Sequence, residues 1–371
     1  MFMIEKIARE GLKRRDNPMI RFNNDYSEGA HPSVLERLVD TNMVQTPGYG
    51  EDEYCLLAAE IIKDLCGRKD LDVHFLVGGT QTNLTLISAA LRPHQCAVSA
   101  ASGHISTHES GAIESTGHKV LELPSSDGKI TAEAVRKVHL DHVNDVTHEH
   151  IAQPKLVYIS NPTELGTIYS KKELQDLSDV CREYGLYLYM DGARLGYGLT
   201  CEGNDLDLQV ITECCDAFYI GGTKVGALFG EALVIKDKGI GEDFRYIIKQ
   251  KGGLLAKGRL LGVQFLALFE DGLYFGISAH ANRMAAIIKD SLKAAGCRFL
   301  IDTPTNQQFP ILPDEVLEKL GDKYAYSFWQ KADNDHSAVR FCTSWATREE
   351  DIRSLANDIS DLMRIWNEKN T

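Results

Sequence analysis

Residues 155–194 read KLVYISNPTELGTIYSKKELQDLSDVCREYGLYLYMDGAR, and this stretch decides the fold class. Residues 155–160 form a short run of strand character. Ser170-Lys171-Lys172-Glu173 is a capping box that opens a helix, and Gly185 closes it. Residues 186–190 are apolar again and predict a second strand. Two strands joined through a helix lie parallel, because the helix supplies the crossover that returns the chain to the same sheet edge.

The same alternation runs outward from this unit. Residues 73–77 predict a strand, and 80–92 carry Leu84, Ile87, Ser88 and Leu91 at helical spacing. Further strands are predicted at 119–123, 217–220 and 231–235, with a helix at 131–143. This is an α/β fold with a mainly parallel sheet and helices on both faces. After about residue 240 the pattern changes. Helices are predicted at 259–269 and 280–294 and a strand at 339–343, and Thr347-Arg348-Glu349-Glu350 caps a last amphipathic helix. The expected division is a large domain over 1–245, including an N-terminal segment 1–20, and a smaller α+β domain over 246–371.

Composition narrows the function. Of 371 residues, 43% are hydrophobic and 25% charged, which fits a globular chain rather than a disordered or fibrous one. The 53 acids outnumber the 40 Lys and Arg, leaving a net charge of −13, which repels nucleic-acid backbones and anionic lipid. Apolar runs such as Phe75-Leu76-Val77 fall far short of the ~20 residues of a membrane span. Residues 1–15 mix charges with isolated apolar residues, so no signal peptide is expected. The nine cysteines are odd in number, contain no Cys-x-x-Cys and include the vicinal pair Cys214-Cys215. They predict reduced thiols in a cytoplasmic protein.

Three segments lie at predicted strand ends, where open parallel sheets bind ligands. Gly78-Gly79-Thr80-Gln81-Thr82-Asn83 opens a helix whose free N–H groups suit a phosphate. Neither Walker nor dinucleotide spacing is present. Asp191-Gly192-Ala193-Arg194 puts an acid at the end of a strand, where it needs a partner: Arg194 as an ion pair, or a ligand cation. Gly221-Gly222-Thr223-Lys224 places a lysine in a tight loop, where desolvation makes it a nucleophile for carbonyls. Thr80, Asp191 and Lys224 together answer the phosphate, pyridine nitrogen and aldehyde of pyridoxal 5'-phosphate.

With Tyr49-Gly50-Glu51-Asp52, Gly103-His104, Glu109 and Arg340 added, the chain resembles the threonine aldolases of the β-eliminating lyase group, pyridoxal-phosphate enzymes of the aspartate-aminotransferase fold (fold type I). The resemblance implies cleavage of a β-hydroxy-α-amino acid, threonine or allo-threonine, to glycine and an aldehyde. It implies Lys224 as the covalent attachment point, Asp191 at the pyridinium nitrogen, Gly79 and Thr80 at the phosphate, and His104 against the ring. Arg194 and Arg340 would grip the substrate carboxylate, with Arg194 also near the cofactor. Homo-oligomers, dimers or tetramers with shared sites, are implied as well, with Tyr49 acting near the interface. Apart from the resemblance, Lys249, Lys251 and Lys257 form a basic patch in which Lys257 is a candidate for a neighbouring subunit's phosphate. The chain departs from the family at Asn24-Asp25-Tyr26, where Ser-Asp-Thr is common and Asn24 takes the serine's place near the substrate. It departs again at Thr223-Lys224-Val225 (for Ser-Lys-Gly) and Asn161-Pro162-Thr163 (for Asn-Thr-His).

Other features read as structural. His139, His142, His148 and His150 match no zinc spacing and predict a solvated loop, so no metal is expected. His108 reads as an exposed helix residue, Lys249 and Lys251 as a solvated face, and Trp329 and Trp345 as packing in the small domain. Whether His104 stacks or acts as a base is open at this level. So are β-elimination, transamination, and a non-catalytic use of the same scaffold.

Overall fold

The computed structural model describes residues 19–370. The expectations for residues 1–15 and for most of segment 1–20 lie outside the described residues. After a two-residue strand β1 (Ile20–Arg21), the chain lays down β2 (Asp72–Leu76), β3 (Gln95–Ala100), β4 (Val120–Leu123), β5 (Gln153–Ser160), β6 (Tyr187–Asp191), β7 (Ala217–Gly221) and β8 (Glu231–Ile235). These last seven form one sheet in the order β2-β8-β7-β6-β5-β3-β4. β8 runs antiparallel to both its neighbours, and the remaining pairings are parallel. The reason is chain length. Residues 222–230 are too few for a parallel crossover, which takes about a dozen residues or more, so β7 and β8 close as a hairpin.

The 155–194 unit folds as its sequence dictates. Ser170 Oγ accepts from the Glu173 N–H and Glu173 answers the Ser170 N–H, completing the box on helix Lys171–Tyr184. Gly185 ends that helix at φ 63°, a conformation costly for a residue with a Cβ. The helix turns Leu174, Leu177 and Cys181 onto the sheet. Burial of Leu177 is complete, so Leu177→Ala would cost about 2–5 kcal/mol. β3 shows no such signal. Its residues, Gln-Cys-Ala-Val-Ser-Ala, are small and buried on both faces, giving neither alternation nor a bulky apolar run.

Beyond β8, helix Arg259–Phe269 packs on helices Pro32–Asp40 and Glu53–Leu65 and joins the core of one sheet face. The 246–371 unit expected from sequence therefore shares its first helix with the large layer. Helix Leu273–Ala294 then leads into a four-stranded antiparallel sheet of β9 (Arg298–Ile301), β10 (Gln307–Pro313), β12 (Ser327–Lys331) and β13 (His336–Cys342). A separate core of Met284, Ile288, Leu317, Val339 and Ile352 lies here, and Phe22 enters it through the pairing of β1 with β11 (Tyr324–Ala325). Among the described residues one stretch, Arg259–Ala294, has the length and apolarity to cross a membrane. It is broken at Asp271, and 61% of its most apolar window is buried inside the fold.

Candidate active site

The parallel strands β5, β6 and β7 end at one rim, and antiparallel β8 begins there. A cavity of about 370 Å³ opens at this rim. Gly79, Thr80, His104, Asp191, Arg194, Lys224 and Arg340 all line it, so the fold brings together residues spread over 262 positions of sequence.

Asp191, 4% exposed, is held by donors from three elements. Tyr158 of β5 donates to Oδ2 at 2.6 Å and Tyr219 of β7 to Oδ1 at 2.5 Å. The Ala193 N–H adds a bond to Oδ1 at 2.9 Å, and Asn83 Nδ2 one to Oδ2 at 3.1 Å. Burial works against the charge, but the His104 side chain and these donors outweigh it and hold the carboxyl below its usual range. The result is a fixed anion facing the cleft.

Lys224 sits in the hairpin between β7 and β8. Gly222 and Thr223 donate their N–H groups to Gly230 O, and the Tyr197 hydroxyl donates to Lys224 O at 2.5 Å, so the loop is rigid. Burial, then the charge of Arg194, pushes the amine below the usual lysine range. A buried amine of lowered basicity is a ready nucleophile for an aldehyde. Glu231, which opens β8, accepts from Thr223 Oγ1 at 2.8 Å and Gly222 N at 3.1 Å.

Helix Gly79–Ala90 points its N-terminus into the cavity, and no side chain caps it. Its first N–H groups therefore need an external acceptor. A Cβ on Gly79 would come within 2.9 Å of the Tyr219 hydroxyl, so glycine is required for this approach, while the space beside Gly78 is open. His104 follows β3 and turns Nδ1 to Glu109 Oε1 at 2.9 Å, an oxygen that also accepts from Asn83 at 2.7 Å. With Nδ1–H committed to that carboxylate, Nε2 is the nitrogen left for the cleft.

Arg194 pairs with Asp25, not Asp191. Its Nε and Nη2 bind the two Asp25 oxygens at 2.6 and 3.0 Å, and Asn306 supports the same carboxylate at 2.9 Å. Those two nitrogens are engaged with Asp25, while the residue itself lines the cavity beside Lys224. Arg340 differs. It lines the cavity, bonds Gln307 Oε1 at 3.3 Å and Asn23 O at 3.1 Å, lies over Trp329, and keeps a buried Nε without a partner.

Several expectations fall elsewhere. Asn24 shapes a turn by accepting from Tyr26 N and Ser27 Oγ and does not line the cavity, whereas Tyr26 does. Tyr49 and the exposed Lys257 also lie outside it, with Lys249 over the Tyr49 ring at 4.8 Å. His108 is exposed but stands at the cleft rim, 5.6 Å from the His104 ring. Trp329 lines the cleft instead of serving only as packing, and Trp345 packs on the large core and His31, not within the small domain. His139 stacks on Tyr184. Sequence reasoning missed Asp25, Tyr158, Tyr219, Glu231 and Glu164. Glu164 accepts from Ser160 Oγ at 2.7 Å and His104 N at 2.9 Å, its Oε2 is buried without a partner, and burial pushes its proton affinity up.

The arrangement offers an amine, a fixed anion, an uncapped helix N-terminus, a histidine with one free nitrogen and an arginine with a free donor. The chain is similar to known proteins in sequence and in fold. The family model for beta-eliminating lyases matches residues 27–314. A low specificity L-threonine aldolase from Pseudomonas sp. (strain NCIMB 10558) is 32% identical over 350 residues, covering 92% of this chain and 98% of that one. A solved threonine aldolase from Leishmania major superposes with a TM-score of 0.90 at 46% identity, covering 93% and 99%. Thermus thermophilus aspartate aminotransferase shares the fold, with a TM-score of 0.68 at 15% identity over 97% of this chain and 94% of that one.

Proposed function

The chain belongs to the beta-eliminating lyase family, and from that premise we propose how its cleft carries out the family's work. The protein is a pyridoxal-phosphate-dependent aldehyde-lyase that cleaves threonine to glycine and an aldehyde. The residues present fit the cofactor. The uncapped N-terminus of helix Gly79–Ala90 suits a phosphate, the Asp191 anion suits a protonated ring nitrogen, and Lys224 suits an aldehyde. Bound there, pyridoxal phosphate supplies an electron-poor ring that accepts the electron pair released when the Cα–Cβ bond breaks.

The chain's own groups do the rest. Asp191, kept ionised by its donors, holds a proton on the ring nitrogen. Gly79 and Thr80 donate backbone N–H groups to the phosphate. Arg340, at the cavity wall, binds the substrate carboxylate through its guanidinium, which fixes how the Cα–Cβ bond stands to the ring. His104 takes the β-hydroxyl proton at Nε2, while Glu109 steadies the charge that forms at Nδ1. Arg194, clamped by Asp25, shapes the wall beside Lys224. The observation that carries this reading is the Asp191 cluster, four donors spent on keeping one buried carboxylate charged in the cleft.

L-allo-threonine is the second substrate we propose. We further assign Tyr49 and Lys257 to a neighbouring subunit's site. Both lie outside their own cleft, and the exposed side chains of Leu56 and Tyr246 line grooves that Tyr49 shares. Nine free cysteines support a reducing, cytoplasmic location. The test is aldehyde release from both diastereomers, with and without added pyridoxal phosphate. Cofactor-dependent release that disappears in Lys224→Ala is the expected result. A holoprotein that releases no aldehyde would move the reaction to elimination or transamination.

A further inference from the structure

Glu231 lines the cleft on the strand beside the turn that opens helix Gly79–Ala90 and takes no part in the chemistry above. It opens β8 opposite Leu76 of β2, the residue just before Val77-Gly78-Gly79, and it lines the same cavity as Gly79, Thr80, Thr223 and Lys224. Its two oxygens accept from the Gly222 N–H and the Thr223 hydroxyl, which fixes the carboxyl across the neck of the lysine hairpin. The charged groups facing it are Lys224 on the hairpin and Asp191 at the end of β6. Tyr219 of β7, Tyr189 of β6 and Tyr274 of helix Leu273–Ala294 face it as neutral hydroxyls, and β2 contributes apolar Leu76.

We propose that Glu231 is a cofactor-retention residue. Protonated, it leaves the helix N-terminus free to hold the phosphate, and ionised, it meets the phosphate as a like charge and loosens it. This rests on the reading that places the phosphate on Gly79 and Thr80. Burial pushes Glu231 up to about 8, so the carboxyl is neutral where the phosphate, with a second pKa of about 6, is already a dianion. Between those values the phosphate alone, without a second anion beside it, occupies this end of the cleft.

The experiment measures dissociation of pyridoxal phosphate and of pyridoxal, which lacks the phosphate, from the full-length protein at about pH 7 and about pH 9.5. For the phosphate ester the dissociation constant should rise by about tenfold, the change that one unit of pKa coupling produces. For pyridoxal it should not rise. In Glu231→Gln, whose amide can donate to Thr223 Oγ1 and whose carbonyl can accept from Gly222 N, the rise should vanish. An equal rise for both compounds, or a rise that persists in Glu231→Gln, overturns the proposal. If that variant does not fold, the comparison of the two compounds on the parent decides alone. Gly78→Asp separates the underlying reading. Gly78 has extended backbone and open space beside it, so the new carboxylate can cap the helix and should weaken pyridoxal phosphate while sparing pyridoxal. If Gly78→Asp leaves both unchanged, the phosphate placement fails. If it acts as expected while Glu231→Gln does not, the placement stands and the role of Glu231 fails.

Discussion

Asp191 and Glu231 are two carboxyls at one sheet edge, separated by β7, each 4% exposed, and the site shifts their proton affinities in opposite directions. Burial raises the proton affinity of both. The difference lies in the donors. Asp191 collects four, two of them tyrosine hydroxyls, and faces His104, whereas Glu231 has two donors and faces the Asp191 anion. Equal burial thus decides only what a charge costs, and the hydrogen bonds supplied decide which acid carries it.

The largest effect expected from breaking this comparison comes at Asp191. Asp191→Asn removes the charge proposed to keep the ring nitrogen protonated, and turnover in the aldehyde-release assay should fall on the order of 10²–10³-fold while cofactor remains bound. Unchanged turnover would remove Asp191 from the mechanism.

A second test uses stability. Asp191, lowered in the folded protein, adds stability above the unfolded carboxyl value, and that contribution is lost as pH falls through its folded value. Glu231, raised to about 8, does the reverse. Its protonated form is at no disadvantage below the unfolded value, and stability drains away as pH climbs from there to about 8. Thermal unfolding of the parent should therefore decline over that window at up to about 1.4 kcal/mol per pH unit more steeply than Glu231→Gln. Parallel curves would mean that Glu231 is already ionised.

Tyr219→Phe gives the smallest shift. It takes one of four donors from Asp191, so the acidic limb of the rate profile should move up by about one pH unit or less. A larger shift from Tyr158→Phe would instead make β5 the main support.

The same contrast explains how far the sequence is legible. Lys224, Asp191 and Gly79-Thr80 each follow a strand in the chain, so local pattern alone places them at the sheet edge. Glu231 gives no such sign. A charge opening an apolar strand reads as a hairpin end, and its importance depends on β8 lying antiparallel between β2 and β7. Asp25 is 169 residues from Arg194, and only folding shows that it occupies the guanidinium fork. Tyr158 and Tyr219 read as strand apolar residues, because their hydroxyls acquire meaning only across the β5-β6-β7 register. β3 escapes pattern reading because small residues buried on both faces leave no period, yet it carries the chain to His104.

The most direct test of the opposed carboxyls is infrared difference spectroscopy of the protein at neutral pH, comparing the parent with Glu231→Gln and with Asp191→Asn. The parent-minus-Glu231→Gln spectrum should contain a protonated carboxyl band that disappears as pH passes about 8. The parent-minus-Asp191→Asn spectrum should contain ionised carboxylate bands only. A protonated band belonging to Asp191, or none belonging to Glu231, would contradict the account.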